Sequence, residues 1–161
     1  MRRRDQSRVE VAPRTLLDNV MPLVALQARK LGVRVDVRCA SDLPHVLCDR
    51  TMVEQVLLNL SRNGMQAMQD DTPFKTLTLL VRAAPPTLGQ QWLEFVVSDQ
   101  GHGIADDLVE KLFTPFFTTK EEGMGLGLSL CRTVVEQHGG VLQHSPNTPR
   151  GTVFSFTLPQ A

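Results

Sequence analysis

The 161-residue sequence has no GxxxxGK[ST] segment, which excludes a P-loop as its phosphate-binding device. It has no GxGxxG turn after a strand either; Gly123, Gly125 and Gly127 alternate instead, so the dinucleotide fingerprint is missing too. Cysteine is scarce. Cys39, Cys48 and Cys131 are an odd number without CxxC spacing, which argues against a disulfide framework or a zinc site and suits a reducing compartment. No apolar run reaches the ~18 residues of a membrane span, and no secretory leader core is present. Net charge is also absent: 17 Lys and Arg balance 17 Asp and Glu, so nothing marks a nucleic-acid surface. Solenoid repeats and low-complexity tracts are lacking. What is left, 42% hydrophobic and 21% charged, is one ordinary globular domain large enough to bury a core.

The most informative stretch that is present runs from Asp99 to Gly127. Two glycine clusters, Gly101/Gly103 and Gly123/Gly125/Gly127, bracket an aromatic segment and a threonine pair. Glycine permits close backbone approach, so such clusters suit main-chain amides folded around a polyanion, with a lid between them. Asp99 ends the apolar run Trp92-Leu-Glu-Phe-Val-Val-Ser. Its carboxylate is thereby delivered to a buried place where it must meet a donor, such as the exocyclic amine of a purine.

The rest of the chain alternates helix and strand signals. Val9–Ala12 predicts a short strand, and Leu16, Val20, Leu23, Val24 and Leu31 predict an amphipathic helix that Gly32 ends, with Pro22 at its middle. Val33–Cys39 alternates as a strand, and Pro44–Cys48 is a further short segment. Asp49 or Thr51 can cap the next helix, Thr51 and Glu54 having capping-box spacing, and Val53, Val56, Leu57, Leu60, Gly64, Ala67 and Met68 trace its apolar face. Asn59 and Asn63 share one face of it beside Arg62, candidates for oxygen ligands of a hard cation. Lys75–Arg82 predicts a strand, Ala83–Gln90 a hairpin loop, and Ala105–Leu112 a short helix. Gly127 opens a last helix with Leu128, Leu130, Val134 and Val135 inward and His138–Gly140 at its end. Strands at Val141–His144 and Thr152–Leu158 close the chain. This order predicts an α+β, two-layer sandwich: a mixed, mainly antiparallel sheet covered on one face by about three helices.

Together these segments resemble the ATP-binding catalytic domain of sensor histidine kinases, in the superfamily shared with DNA gyrase, heat-shock chaperone and mismatch-repair ATPases. The match runs from about Val9 to Pro159. Asn59-Leu-Ser-Arg-Asn63 resembles the N box, Asp99-x-Gly101-x-Gly103 the first glycine box, and Phe113-Thr-Pro-Phe116-Phe117-Thr118-Thr119-Lys120 the F box. Gly123-Met-Gly125-Leu126-Gly127-Leu128 resembles the second glycine box, and Gly151-Thr152 a final glycine-threonine pair. The resemblance implies a Bergerat fold binding ATP and Mg²⁺. Asp99 would accept from the adenine amine, helped by a water near Thr152, and Asn63 would ligate magnesium with Asn59 beside it; these two asparagines are the catalytic candidates. Gly125 and Gly127 would offer amides to phosphate, and Arg62, Lys120 and Ser129 are further phosphate candidates.

Two departures bear on the chemistry. Gly64 stands where alanine is usual, which would loosen the helix by up to about 1 kcal/mol. Asn59 stands where the gyrase-like branch has a glutamate base, and an amide cannot activate water, so phosphoryl transfer to a protein group is favoured over hydrolysis. The lid is short, with only Glu121 and Glu122 between Lys120 and Gly123, as in nitrogen-, oxygen- or dicarboxylate-sensing kinases.

None of His45, His102, His138 and His144 has the setting of a phosphoacceptor. The chain is therefore expected to be the fragment that phosphorylates a histidine on a separate dimerisation domain, with residues 1–8 a stub after that hairpin and 9–161 the catalytic domain. Its expected partners are that domain and a response-regulator receiver, with no nucleic acid and no membrane contact. Its expected place is the cytoplasm, even where the parent is anchored in the inner membrane. A non-catalytic nucleotide switch and an anti-sigma-type serine kinase share the fold and stand as alternatives.

Overall fold

The computed structural model describes residues 7–69, 75–87, 89–114 and 127–161. The elements run β1 (Arg8–Val11), α1 (Pro13–Leu31), β2 (Arg34–Cys39), β3 (Val46–Asp49), α2 (Arg50–Gln66), β4 (Thr76–Thr87), β5 (Gln90–Ser98), α3 (Asp106–Leu112), α4 (Gly127–Gln137), β6 (Leu142–Pro146) and β7 (Thr152–Pro159). Five strands form one sheet in the order β2-β4-β5-β7-β6; only β2 and β4 pair parallel. β1 and β3 make a separate antiparallel pair.

Alternation along the central strands sorts the two sheet faces. Leu77, Leu79 and Val81 of β4, Leu93, Phe95 and Val97 of β5, and Phe154, Phe156 and Leu158 of β7 are all buried on one side. Register places Phe95 opposite Phe156, and the two rings stack at 5.1 Å. The same core takes Leu16, Leu17, Val20 and Val24 from α1, Val53, Val56, Leu57 and Leu60 from α2, and Leu128, Cys131 and Val135 from α4. Each such side chain contributes about 1.5–3 kcal/mol by burial, so three helices on one face account for the two-layer form. On the other face Arg82 and Glu94, cross-strand partners, pair at 2.8 Å.

Several boundaries differ from the sequence reading, each for a local reason. Leu23 of α1 and Leu130 of α4 are 58% and 51% exposed, because the inward face rotates onto Leu17 and Ala28 in one helix and onto Cys131 in the other. Pairing of β4 with β5 continues past Arg82 to Thr87↔Gln90, so Ala83–Gln90 is mostly strand; a register shift between Ala84 and Thr87 accommodates Pro85 and Pro86, which lack the N–H a regular ladder needs. Arg8 pairs with Asp49 in β1–β3, and its guanidinium donates to the Gln137 carbonyl at the end of α4.

Asp49 caps α2, its carboxylate accepting from Met52 N–H at 3.2 Å, while Thr51 lies inside the helix and Glu54 instead accepts from Asn19 of α1 at 2.8 Å. The Asp49 backbone N–H donates to Nε2 of buried His138 at 3.0 Å, and His138 Nδ1 lies 2.8 Å from the Val134 carbonyl. Those two contacts require a neutral ring with its proton on Nδ1. Burial, opposed by the Val134 bond, holds the His138 pKa below its ordinary 6.5. The unfolded chain then binds a proton that the native one refuses, so stability is full above pH 6.5 and falls as pH drops from there through the folded pKa. Urea midpoints recorded from pH 7.5 down to 5 should decline more for the wild type than for His138→Gln; parallel curves would mean that His138 contributes nothing to acid sensitivity.

Candidate nucleotide-binding site

β5 is apolar and runs directly into Asp99, which is how a carboxylate comes to be 4% exposed at the end of the central strand. Oδ1 of Asp99 accepts from the backbone N–H of Gly101 at 2.9 Å and of Thr152 at 3.2 Å. The Asp99 N–H donates to the Thr152 carbonyl at 2.9 Å. Two backbone N–H groups thus aim Oδ1. Helix α2 closes on it from one side: a Cβ on Gly101 would lie 2.3 Å from the Ala67 carbonyl, and one on Gly64 3.5 Å from Asp99 Oδ2.

Along α2, Arg62 donates to Asn59 Oδ1 at 3.1 Å, and Asn63 is one turn on, next to Gly64. From α4 the Cys131 thiol donates to the Val56 carbonyl of α2 at 4.0 Å, and Asn59 and Arg62 act on it from the same helix. Burial pushes that thiol up to about 12, the Asn59 bond and the Arg62 charge opposing only in part, so the sulfur is a neutral contact. Sequence reading passed over Cys131, although its spacing of three from Leu128 and four from Val135 marks the inward face.

Helix α4 is described from Gly127; Leu128 packs into the core, and the Ser129 carbonyl accepts from Thr133 Oγ1 at 3.0 Å. Gly103 follows in the Asp99 loop, where its carbonyl lies 2.7 Å from His102 Nδ1. Thr118, Thr119, Lys120, Gly123, Gly125 and Leu126 lie outside the described residues, as do Phe116 and Phe117. Phe113 is core: 6% exposed, edge-on to Phe154 at 6.5 Å, with the Arg132 guanidinium 4.1 Å above its ring.

The described candidate residues fall on three pieces: a buried carboxylate with Gly101, Gly103 and Thr152 around it, the helix α2 with Asn59, Arg62 and Asn63, and α4 from Gly127. A buried acceptor is the chemistry that suits a purine amine, and the N–H groups of a helix's first turn are the chemistry that suits phosphate. Amide oxygens are hard donors that fit magnesium. Among the described residues no group of three or more His, Cys, Asp or Glu side chains gathers to hold a metal, and magnesium in phosphate sites draws its other ligands from water and phosphate.

Residues 48–161 match the family described as "Histidine kinase-, DNA gyrase B-, and HSP90-like ATPase". The chain belongs to this family. The C4-dicarboxylate transport sensor protein DctS of Rhodobacter capsulatus is 41% identical over 144 residues, covering 89% of this chain and 21% of DctS. Sensor protein FixL of Bradyrhizobium diazoefficiens is 39% identical over 139 residues, covering 86% of this chain and 26% of FixL. The chain thus spans about a fifth to a quarter of the length of these relatives. Among solved structures, the catalytic domain of histidine kinase ThkA superposes with TM-score 0.79 at 31% identity, covering 95% of both chains. Full-length ShkA in complex with AMPPNP gives 0.80 at 28% identity over 96% of this chain and 31% of ShkA. ThkA in complex with response regulator protein TrrA gives 0.76 at 29% identity over 96% of this chain and 42% of ThkA. The α+β sandwich and the family read from the motifs are those of sensor-kinase catalytic domains. No helix among the described residues is long and apolar enough to cross a membrane.

Proposed function

We propose that this chain binds Mg²⁺·ATP and passes the γ-phosphate to a histidine on a dimerisation domain of its parent sensor kinase, from which a response-regulator receiver takes it. The observation that carries the reading is the buried Asp99 carboxylate, pinned by Gly101 and Thr152 and flanked by the Asn59/Asn63 helix. Asp99 accepts from the adenine amine; Asn63 supplies an amide oxygen toward magnesium; the first turn of α4 receives phosphate. Bound magnesium neutralises charge on the triphosphate. The protein's part is positioning and charge stabilisation, because Asn59 cannot act as a base toward water. A cytoplasmic setting agrees with this chemistry and with free thiols at Cys39, Cys48 and Cys131.

The test supplies a sensor-kinase dimerisation and phosphoacceptor domain in trans with γ-labelled ATP and magnesium. Acid-labile label should appear on the added domain and none on this chain, and Asn63→Ala should slow transfer by about a hundredfold or more. Self-labelling of this chain, or acid-stable label on the acceptor, would overturn the histidine-kinase reading.

A further inference from the structure

The turn between β6 and β7, Asn147-Thr148-Pro149-Arg150-Gly151, also holds the Asp99 loop. Asn147 Nδ2 donates to the Asp99 carbonyl at 2.7 Å, and Arg150 Nε donates to the Gly101 carbonyl at 2.8 Å. The Asn147 amide is itself fixed, since its Oδ1 accepts from Thr148 N–H at 2.9 Å while its backbone N–H closes the turn on the Gly151 carbonyl at 3.0 Å. Reversing that amide would set two oxygens against each other at Asp99, so only one orientation serves both ends. The carbonyls of Asp99 and Gly101 lie beyond the end of β5, past the last ladder pair Ser98↔Val153, and these side chains donate to them.

From this arrangement we infer that Asn147 and Arg150 are positioning residues for base selection. Asp99 discriminates purines by presenting an acceptor where adenine carries an amine and guanine an oxygen. That discrimination depends on the carboxylate keeping one direction. Backbone N–H groups of Gly101 and Thr152 aim Oδ1, and the turn holds Gly101 and the Asp99 peptide in place. Releasing either carbonyl lets the loop rotate, so the carboxylate points with less certainty at the amine and adenine loses affinity relative to guanine. The inference rests on the adenine-nucleotide reading of the site.

The experiment measures ADP and GDP binding with magnesium by calorimetry, on the wild type, Asn147→Asp, Arg150→Met and Arg150→Lys, with thermal unfolding of each without nucleotide. Asn147→Asp keeps the acceptor for Thr148 and replaces the donor to Asp99; Arg150→Met keeps the stem and removes the donor. The expected result is an ADP-to-GDP affinity ratio reduced about tenfold in both, with unfolding temperatures near that of the wild type and recovery of most of the ratio in Arg150→Lys. A purely structural role would move the unfolding temperature and leave the ratio alone. Should the wild type prefer ADP while all variants keep its ratio, the positioning role fails and the adenine reading stands. Should the wild type bind neither nucleotide, the adenine reading falls and this inference with it. Arg150 is half-buried in a bend outside the strands, and Arg150→Met keeps its stem, so its variants decide the matter even where Asn147→Asp fails to fold.

Discussion

Asp99→Asn is expected to weaken ADP binding about a hundredfold while leaving the chain folded. The two carboxylate oxygens have separate roles. Oδ1 serves the Gly101 and Thr152 N–H groups, and an asparagine carbonyl oxygen can serve both in the same place. The loop therefore keeps its shape. The second position changes from an acceptor to an amide donor, and it then meets the donating amine of adenine. A charge-assisted bond is lost and two donors are opposed, which adds up to more than the ~1.4 kcal/mol of a single tenfold step. Nucleotides with an oxygen at that purine position should lose less, so selectivity moves toward hypoxanthine and guanine. Calorimetry with ADP and GDP reads both effects, and unchanged ADP affinity in a folded Asp99→Asn would remove Asp99 from the base site.

Asp99 was legible in the sequence because an apolar run, Trp92–Val97, led almost directly to a charge, a pattern that physical cost makes rare without purpose. The asparagine pair was legible through helical spacing, and the core through periodicity. What stayed hidden is contact that depends on the sheet closing. Asn147 lies 48 residues from Asp99 and reads as an ordinary polar turn residue until β6 and β7 bring it alongside. Leu23 and Leu130 fit a helical stripe by spacing, yet the choice between adjacent apolar positions is made by which face meets the sheet. Pro85 and Pro86 argued for a loop, and the pairing on either side of them overrode that local preference. Gly64 changed meaning most: expected only to loosen α2, it lies where a Cβ would come within 2.8 Å of Leu77 Cδ1 and 3.4 Å of Asp99 Cβ.

That contrast leads to the largest expected loss of stability, at Gly151→Ala. Gly151 has φ +114°, a conformation an alanine adopts only under strain of about 1–3 kcal/mol. Its Cβ would also sit 2.0 Å from the Asp99 carbonyl oxygen and 2.9 Å from Gln100 Cα. Both are backbone atoms, and the Asp99 carbonyl is already held by Asn147, so the clash cannot be relieved by a rotamer change. Strand β7 or the Asp99 loop must move, and with it the ladder from Ser98↔Val153 onward. We expect destabilisation of about 3–5 kcal/mol, roughly 10 °C or more in unfolding temperature, together with loss of ADP binding. At Gly64→Ala the nearest atom is instead the end of the Leu77 side chain, which can turn aside. The alanine gains up to about 1 kcal/mol of helix propensity against that repacking, so its stability should stay within about 1 kcal/mol of wild type. Urea unfolding of the two variants side by side decides the point: if Gly151→Ala unfolds at the Gly64→Ala midpoint, the β6–β7 turn does not clamp the Asp99 loop as tightly as its geometry requires.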